Sequence, residues 1–327
     1  MMVPDLDVPN TLNFPTSAAW GASLETPGDV AEAKHEADKL GLPFLCLGSG
    51  SNVVLMPHLK RFVGRISNRA IQVLDTDTDW VDVNVGAGLL WQDLVEISLS
   101  EGWFGLENLA LIPGTVGAAP VQNIGAYGAE LGTFVVAVTI VDDGGQIHRL
   151  NAEACGFGYR DSVFKQQPNW TITDVTLRLF RHPRVNLRYE ALRSHFSGQT
   201  PSPHAVAAFV TALRQDKLPD PATHPNVGSF FKNPVISPDD ADRLRQLGLD
   251  LFPQGDQVKA SAAQLIDRSG CKEYRVGSIA CWPRQPLIFV NYGGGTATDL
   301  IEFSDQVQRR VADQYAIQLE REPSVVS

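Results

Sequence analysis

The sequence has few cysteines, a deficit of basic residues and no long hydrophobic run. Its cysteines, at positions 46, 155, 271 and 281, show no C-x-x-C spacing and no adjacent histidine, which argues against a metal site or a disulfide framework. Lys and Arg number 27 against 37 Asp and Glu, and the net charge of −10 argues against binding to nucleic acid or to anionic membranes. An anionic substrate would therefore need a locally basic pocket.

The sequence also lacks the segments that direct export or cross a membrane. Residues 1–6 have neither a charged start nor an apolar core, and no apolar run approaches the ~20 residues of a membrane helix. We therefore expect a cytoplasmic protein without membrane insertion. With 327 residues, 43% of them hydrophobic, the chain is long enough for two or three globular domains.

The apolar periodicity changes repeatedly between helical and strand spacing. Residues 26–29 predict a capped helix start, followed by an apolar stripe at Val30, Ala33, Ala37 and Leu40. Other segments alternate with the period of two that is typical of strands. Because these segments show no regular β-α-β order, the pattern predicts an α+β fold rather than a doubly wound parallel sheet.

The strongest functional signal is the segment 112–128, which reads I-P-G-T-V-G-A-A-P-V-Q-N-I-G-A-Y-G. Glycines let main-chain N–H groups approach a ligand, and prolines limit the entropy that the loop loses on binding. Gln122 and Asn123 can both donate and accept, which suits a heteroaromatic ring edge or a ribose. We interpret the segment as a ligand-binding loop rather than a long structural turn.

A second glycine loop, G-S-G-S-N at 48–52, follows the apolar run 43–47. Such a loop can form a nest of N–H groups that holds a pyrophosphate. It lacks the third glycine of the dinucleotide fingerprint and the Gly-Lys-Ser/Thr of triphosphate loops. Alone it is more typical of a turn between strands, but beside the segment 112–128 it indicates a nucleotide cofactor.

Three further motifs follow in order: Y-R-D-S at 159–162, K-L-P-D-P at 217–221 and G-S-F-F-K-N-P at 228–234. With the two glycine loops, they resemble the MurB family of UDP-N-acetylenolpyruvoylglucosamine reductases from Gly48 to the C-terminus. The resemblance implies a two-subdomain FAD-binding fold of the vanillyl-alcohol-oxidase type, at 1–67 and 68–218. A smaller C-terminal α+β substrate domain would follow at 219–327.

The resemblance implies a flavoenzyme that uses NADPH to reduce UDP-N-acetylglucosamine enolpyruvate to UDP-N-acetylmuramate, in the synthesis of peptidoglycan precursors. FAD should bind non-covalently, because the glycine loops offer no His or Cys for a covalent link. No Rossmann fingerprint distinguishes NADPH from NADH, and nothing in the sequence suggests more than a monomer. The FAD contacts implied are Gly48, Ser49, Gly50, Ser51, Asn52, Pro113, Gly114, Thr115, Gly117, Ala118, Gln122, Asn123, Gly125, Tyr127, Ile172 and Arg214.

The chemistry requires a hydride, a cation for the charge that develops on the substrate carboxylate, and a proton donor. The flavin would supply the hydride, because no side chain can. The resemblance assigns Arg160 as the cation, whose planar fork suits a carboxylate, and Ser229 as the proton donor.

Substrate contacts implied by the family are Lys217 for a phosphate or carboxylate, and Asn233 for a hydroxyl or phosphate oxygen. Tyr189 lies in an additional segment, 185–203, and would pack on or bond to the uridine diphosphate. Without the resemblance, a solvated lysine, a turn asparagine and a loop aromatic describe these residues equally well.

The sequence departs from the family pattern at two places. Relatives carry a Pro-Glu-Val near the C-terminus, whereas this chain has Arg321, Glu322 and Pro323. Glu322 aligns best as the third catalytic residue, and Glu320 is its rival on the same face of a strand. Ala118-Ala119 replaces hydroxyl residues that lie near the flavin in relatives, at a cost of roughly 1 kcal/mol for each lost hydrogen bond.

Two other functions fit parts of the sequence. A flavin oxidase of the same FAD-binding fold, acting on another sugar or alcohol, would consume oxygen. A non-catalytic binder of nucleotide sugars would use only the glycine loops and would contain no flavin.

Overall fold

The structure is a computed structural model that describes residues 2–254 and 257–327. The chain forms two compact units. The first unit comprises residues 2–7, Ser17–Ser49 and Lys60–Asp216, and the second comprises Val8–Thr16, Gly50–Leu59 and the described part of Lys217–Ser327.

The strands, in chain order, are β1 (Met2–Asp7), β2 (Ser17–Leu24), β3 (Phe44–Cys46), β4 (Val53–Leu55), β5 (His58–Ile66), β6 (Ile71–Thr76), β7 (Trp80–Gly86), β8 (Gly125–Ala126), β9 (Ala129–Glu130), β10 (Val135–Val141), β11 (Ile147–Asn151), β12 (Thr171–Phe180), β13 (Asn226–Ser229), β14 (Val235–Ile236), β15 (Leu251–Gln254), β16 (Gln257–Ala260), β17 (Arg275–Val276), β18 (Ile279–Trp282), β19 (Gln285–Asn291) and β20 (Ser324–Val326). The helices are α1 (Pro27–Lys39), α2 (Trp91–Ser100), α3 (Val163–Gln166), α4 (Glu190–His195), α5 (Pro203–Lys217), α6 (Pro238–Gln246), α7 (Ala262–Ile266) and α8 (Ala297–Tyr315).

The first unit contains two larger sheets and the short antiparallel pair β8-β9. One has the order β1-β2-β5-β3, with β3 parallel to β5, and the other is antiparallel with the order β11-β10-β12-β7-β6. The second unit contains the sheets β13-β19-β18-β17 and β14-β16-β15 and the parallel pair β20-β4. Helices are interspersed among mainly antiparallel strands, so the α+β prediction is confirmed.

Helix α1 begins where the sequence predicts. Thr26 and Asp29 form a reciprocal capping box, and Pro27 occupies the first turn. Val30, Ala33 and Ala37 are fully buried. Leu40, the last residue of the predicted stripe, is exposed because the helix ends at Lys39 and the chain turns away through Gly41 at φ +65°.

The core of the second unit is rich in aromatic rings. Phe230 stacks on Phe289 with ring centroids 4.8 Å apart, and Phe231 and Phe303 pack edge-on against Phe289. On α8 the apolar residues Leu300, Phe303, Val307 and Val311 recur at helical spacing and are buried. One stripe of α8 is therefore packed into the core of the second unit.

Residues 2–254 and 257–327 contain no helix long and apolar enough to cross a membrane. Within the same ranges, no group of three His, Cys, Asp or Glu side chains is arranged to hold a metal ion.

Candidate active site

The glycine loop at 48–52 connects β3 to β4 and presents unused backbone amides. Among the described residues, no protein acceptor receives a hydrogen bond from the amides of Gly48, Ser49 or Gly50. Gly50 has a φ of +66°, which only glycine adopts without strain. Successive amides in such a turn form a nest that suits a phosphate group, so this loop fits the pyrophosphate of FAD.

The two glycine loops meet in the first unit. A Cβ atom added at Gly48 would lie 2.8 Å from Thr115 Oγ1 and 3.4 Å from the Ala118 Cβ. A larger residue at position 48 would therefore push the loops apart. The structure thus brings Gly48 together with two other predicted FAD contacts, Thr115 and Ala118, which lie 67 and 70 positions later in the sequence.

The segment 114–117 is held in place by the connection between β7 and α2. The Gly117 and Val116 amides donate to Ala87 O and Leu89 O at 2.9 and 2.8 Å, and the Trp91 amide donates to Gly114 O at 3.0 Å. In the part of the chain that the structure covers, the amides of Gly114 and Thr115 have no protein acceptor. The loop is therefore anchored on one side and retains donors for a ligand.

Asn123 is buried and its side chain is used within the protein. Both amide hydrogens are donated, to Glu130 Oε2 at 3.1 Å and to Gly158 O at 3.0 Å, and its Oδ1 accepts from the Gly132 amide at 2.7 Å. This side chain therefore joins the glycine loop to the segment that precedes Arg160. Its predicted contact with FAD stays a prediction, as does that of the half-buried Gln122.

Arg160 lies against the glycine loop. Its Nη2 donates to Gly125 O at 3.0 Å, and Lys165 Nζ donates to the Arg160 carbonyl at 3.1 Å. A Cβ atom at Gly125 would approach Arg160 Nη1 to 3.3 Å, so glycine permits the close contact. The predicted cation and the predicted flavin loop are thus neighbours in the structure.

A second guanidinium strengthens the positive charge near Arg160. Arg214 Nε donates to Leu111 O at 3.2 Å. Burial, and secondarily the charge of Arg160, lowers the pKa of Arg214. Arginine stays protonated in proteins, so these two groups form the locally basic region that an anionic ligand of an acidic protein needs.

Tyr127 links this basic region to the predicted substrate loop. Its ring packs edge-on against Tyr189 with centroids 5.0 Å apart, and burial raises the pKa of Tyr127. Asn108 fixes both segments, because its Nδ2 donates to Tyr127 O at 2.7 Å and to Asn186 O at 2.9 Å. Tyr189 itself remains exposed, as a contact for a ligand requires. Sequence reasoning missed Asn108, which no motif marks.

Left-handed backbone conformations are concentrated in this region. Leu111, Asn123, Tyr127 and Arg160 have φ values between +45° and +59°. Bulky residues adopt this conformation only where the surrounding structure imposes it, and such strain is typical of functional sites.

In the second unit, Ser229 ends β13 opposite Ile288 of β19. The register slips between Asn226 and Ser229, where Gly228 adopts a φ of +73°. Within residues 2–254 and 257–327 the Ser229 hydroxyl has no protein hydrogen-bond partner. A bulge of this kind re-aims a side chain, and here it leaves the hydroxyl available for a substrate.

Asn226 fixes this bulge and was not identified from the sequence. Its Oδ1 accepts from the Gly228 amide at 2.8 Å, and its Nδ2 donates to His224 O and Pro219 O at 2.8 and 3.2 Å. The buried Asn226 side chain thus joins residues 219–224 to the bulge at Gly228 that precedes Ser229.

The segment that carries Glu320 and Glu322 lies beside the residues that follow Ser229. The Glu322 amide donates to Phe230 O at 3.0 Å and the Lys232 amide donates to Glu320 O at 2.9 Å. The expected strand is reduced to a single bridge between Phe231 and Arg321. The Glu320 carboxylate is exposed and forms an ion pair with Lys232, whereas Glu322 is half-buried.

The remaining predicted residues occupy different places. Asn233 lies in the second unit, and its Oδ1 accepts from the Ala262 amide at the start of α7 at 3.0 Å. Lys217 is exposed at the end of α5, and its carbonyl accepts from Trp282 Nε1 at 3.1 Å. Ile172 is a buried residue of β12 in the first unit.

Residues 220–326 match the family described as UDP-N-acetylenolpyruvoylglucosamine reductase, C-terminal domain, and residues 22–151 match the FAD binding domain family. The UDP-N-acetylenolpyruvoylglucosamine reductase of Pseudomonas aeruginosa is 40% identical over 324 residues, which cover 97% of this chain and 96% of the relative. The enzyme of the same name from Bdellovibrio bacteriovorus is 40% identical over 326 residues, with 98% and 97% covered.

The fold is similar to the crystal structure of UDP-N-acetylenolpyruvylglucosamine reductase (MurB) from Thermus caldophilus. The TM-score is 0.69 at 27% identity, and the match covers 100% of this chain and 98% of that one. The predicted combination of an α+β FAD-binding fold with a C-terminal domain is therefore confirmed.

Proposed function

The chain belongs to the UDP-N-acetylenolpyruvoylglucosamine reductase family, and from this we propose that it reduces UDP-N-acetylglucosamine enolpyruvate to UDP-N-acetylmuramate, with FAD and NADPH. The observation that carries the proposal is the near-complete relationship to reductases of this name. Independent support comes from the adjacent basic region and from the amides of Gly48, Ser49, Gly50, Gly114 and Thr115, which have no protein acceptor among the described residues. The test is whether the enolpyruvyl sugar reoxidises the NADPH-reduced flavin without oxygen.

FAD would supply the hydride when it is bound, and the side chains would bind the substrate and move the proton. The Arg160 guanidinium would hold the substrate carboxylate and stabilise the charge that develops there. The hydride would go to one carbon of the enolpyruvyl double bond, and Ser229 Oγ would donate its proton to the second carbon of that bond. Glu322 would support the intermediate that forms between these two transfers. Lys217, Asn233 and Tyr189 would bind the phosphate and uridine parts of the substrate.

We further propose that the FAD-binding subdomains correspond to residues 1–67 and 68–218 and the substrate domain to 219–327. The protein would be a cytoplasmic monomer that acts in peptidoglycan precursor synthesis and thereby supports cell shape and division. The FAD contacts would be those that the sequence indicates in the two glycine loops, together with Ile172 and Arg214.

We predict that FAD is held without a covalent bond, because neither glycine loop contains a Cys or His. Acid denaturation of the purified protein should release all flavin into the supernatant, measured by its absorbance. Yellow colour that stays with the precipitate would contradict this prediction.

Glu322 is half-buried and Glu320 is exposed, and this difference allows a test of the two candidate carboxylates. Glu322→Gln should slow flavin reoxidation by the enolpyruvyl sugar, and should leave reduction by NADPH unchanged. The matched change Glu320→Gln should leave both half-reactions unchanged, because that carboxylate is exposed and paired with Lys232. Stopped-flow absorbance measures both steps. If Glu320→Gln slowed flavin reoxidation and Glu322→Gln did not, the assignment of Glu322 as the catalytic carboxylate would be wrong by two residues.

A further inference from the structure

Arg321 stands beside the proposed catalytic carboxylate, and its own side chain points to a helix rather than to the substrate. Its Nε donates to Ser304 Oγ at 2.9 Å, and its Nη2 contacts Asp305 Oδ1 and Ile301 O. The Ser304 hydroxyl donates in turn to Ile301 O at 2.7 Å, which leaves its oxygen oriented to accept from Arg321. The guanidinium is thus bound to α8 along the edge formed by Nε and Nη2.

A fourth residue of α8 holds the same segment. Gln308 Nε2 donates to Leu319 O at 2.7 Å, two residues before Arg321. Positions 301, 304, 305 and 308 follow the helical spacing of three and four, so they form one face of α8. This face, which we call the α8 clamp, fixes residues 319–321 against a helix whose adjacent stripe is buried in the core.

On the other side, the segment is bound through its backbone to the chain that follows Ser229. The Glu322 amide donates to Phe230 O, and Glu320 O accepts from the Lys232 amide. Two residues further along the chain, β20 pairs with β4, so the backbone around Glu322 is also held on its C-terminal side. Neither of these two backbone hydrogen bonds involves Arg321, so the Arg321 side chain adds a restraint that is separate from them.

We propose that Arg321 is a positioning residue for Glu322, which acts by fixing the backbone of the carboxylate to α8. This inference rests on the proposed function of Glu322. The pair of Arg321 and Asp305 is partly exposed, with side-chain exposures of 26% and 47%, so it contributes little to global stability. Its effect should therefore show in the rate of one step rather than in folding.

The test compares Arg321→Met, Glu322→Gln and the double variant in the full-length holoenzyme. Because a misplacement of 1 Å can cost up to about 100-fold in rate, we expect Arg321→Met to slow flavin reoxidation by the enolpyruvyl sugar about 10-fold. Reduction by NADPH and the KM for the sugar should change less than about twofold. In the Glu322→Gln background, Arg321→Met should have no further effect, because Arg321 acts through that carboxylate.

The matched control is Arg245→Met, which removes another exposed Arg–Asp pair of the second unit, with Asp242 at 2.6 Å, and should leave both half-reactions unchanged. If Arg321→Met folds poorly, Ser304→Ala removes one acceptor of the clamp and should slow reoxidation to a smaller extent. The proposal would be overturned if the effects of Arg321→Met and Glu322→Gln on the reoxidation rate multiplied in the double variant. It would also be overturned if Arg321→Met slowed flavin reduction and flavin reoxidation equally.

Hydrogen exchange tests the clamp independently of activity. The Glu322 amide should lose protection in Arg321→Met by about 10-fold, while the amides of the buried β19 keep theirs, because only the local restraint is removed. Unchanged protection of Glu322 would overturn the clamp even in an active enzyme. If the sugar did not reoxidise the reduced flavin of the wild-type protein, the proposed function would be contradicted. The exchange result would then still show whether Arg321 restrains the backbone of Glu322.

Discussion

Ser229→Ala should slow reoxidation of the reduced flavin by the enolpyruvyl sugar by about 10²–10⁴-fold, the usual contribution of general acid catalysis. Reduction of the flavin by NADPH should stay within about twofold of wild type, because no proton from Ser229 is needed in that step. The structure supports this difference, since the hydroxyl at the Gly228 bulge has no partner in residues 2–254 and 257–327. Anaerobic stopped-flow absorbance measures each step separately.

The control for Ser229→Ala is a serine with a purely structural bond. Ser261 caps α7 by accepting from the Gln264 amide, so Ser261→Ala should lower the free energy of unfolding by about 1 kcal/mol without slowing reoxidation. If Ser229→Ala slowed both half-reactions equally, Ser229 would be positioning the flavin or a shared phosphate, and its role as proton donor would be wrong.

Arg160→Met should slow the same reoxidation step by at least about 100-fold, because removing one preorganised donor from a developing anion costs about 10²–10³-fold. Arg160→Lys should recover part of the rate, since it retains the charge but not the planar fork. In both variants the residue at position 160 has to adopt the same left-handed backbone, with φ at +52°. The difference between their reoxidation rates therefore reports the contribution of the positive charge. The measurement is the saturating rate of flavin reoxidation.

Arg149→Met provides the matched control, because Arg149 is an exposed residue of the edge strand β11 and its loss should leave the rate unchanged. Equal slowing of reduction by NADPH and of reoxidation in Arg160→Met would show instead that Arg160 acts on FAD, and would refute its role with the substrate carboxylate.

Much of the fold follows from local sequence signals. The capping box at Thr26, the serines that precede α6 and α7, and the apolar stripe of α8 each predict an element that the structure contains. These signals act within a few residues of chain. The glycine loops could also be found because their conformations require glycine, as at Gly50.

The parts that could not be predicted depend on contacts between distant residues. The left-handed conformations of Tyr127 and Arg160 have no sequence signal, since both residues avoid that conformation in isolation. Asn108 and Asn226 act through carbonyl groups that only the folded chain brings near. Arg321 was identified as a departure from the family pattern, but its contacts with α8 are visible only in three dimensions.

In the proposed reaction the enolpyruvyl sugar accepts the hydride from the reduced flavin. The most direct measurement reduces the holoenzyme with NADPH under anaerobic conditions and then adds UDP-N-acetylglucosamine enolpyruvate. We expect the absorbance of oxidised flavin to return at once, with formation of UDP-N-acetylmuramate detected by mass spectrometry. A flavin that stays reduced until oxygen is admitted would contradict the account and favour an oxidase.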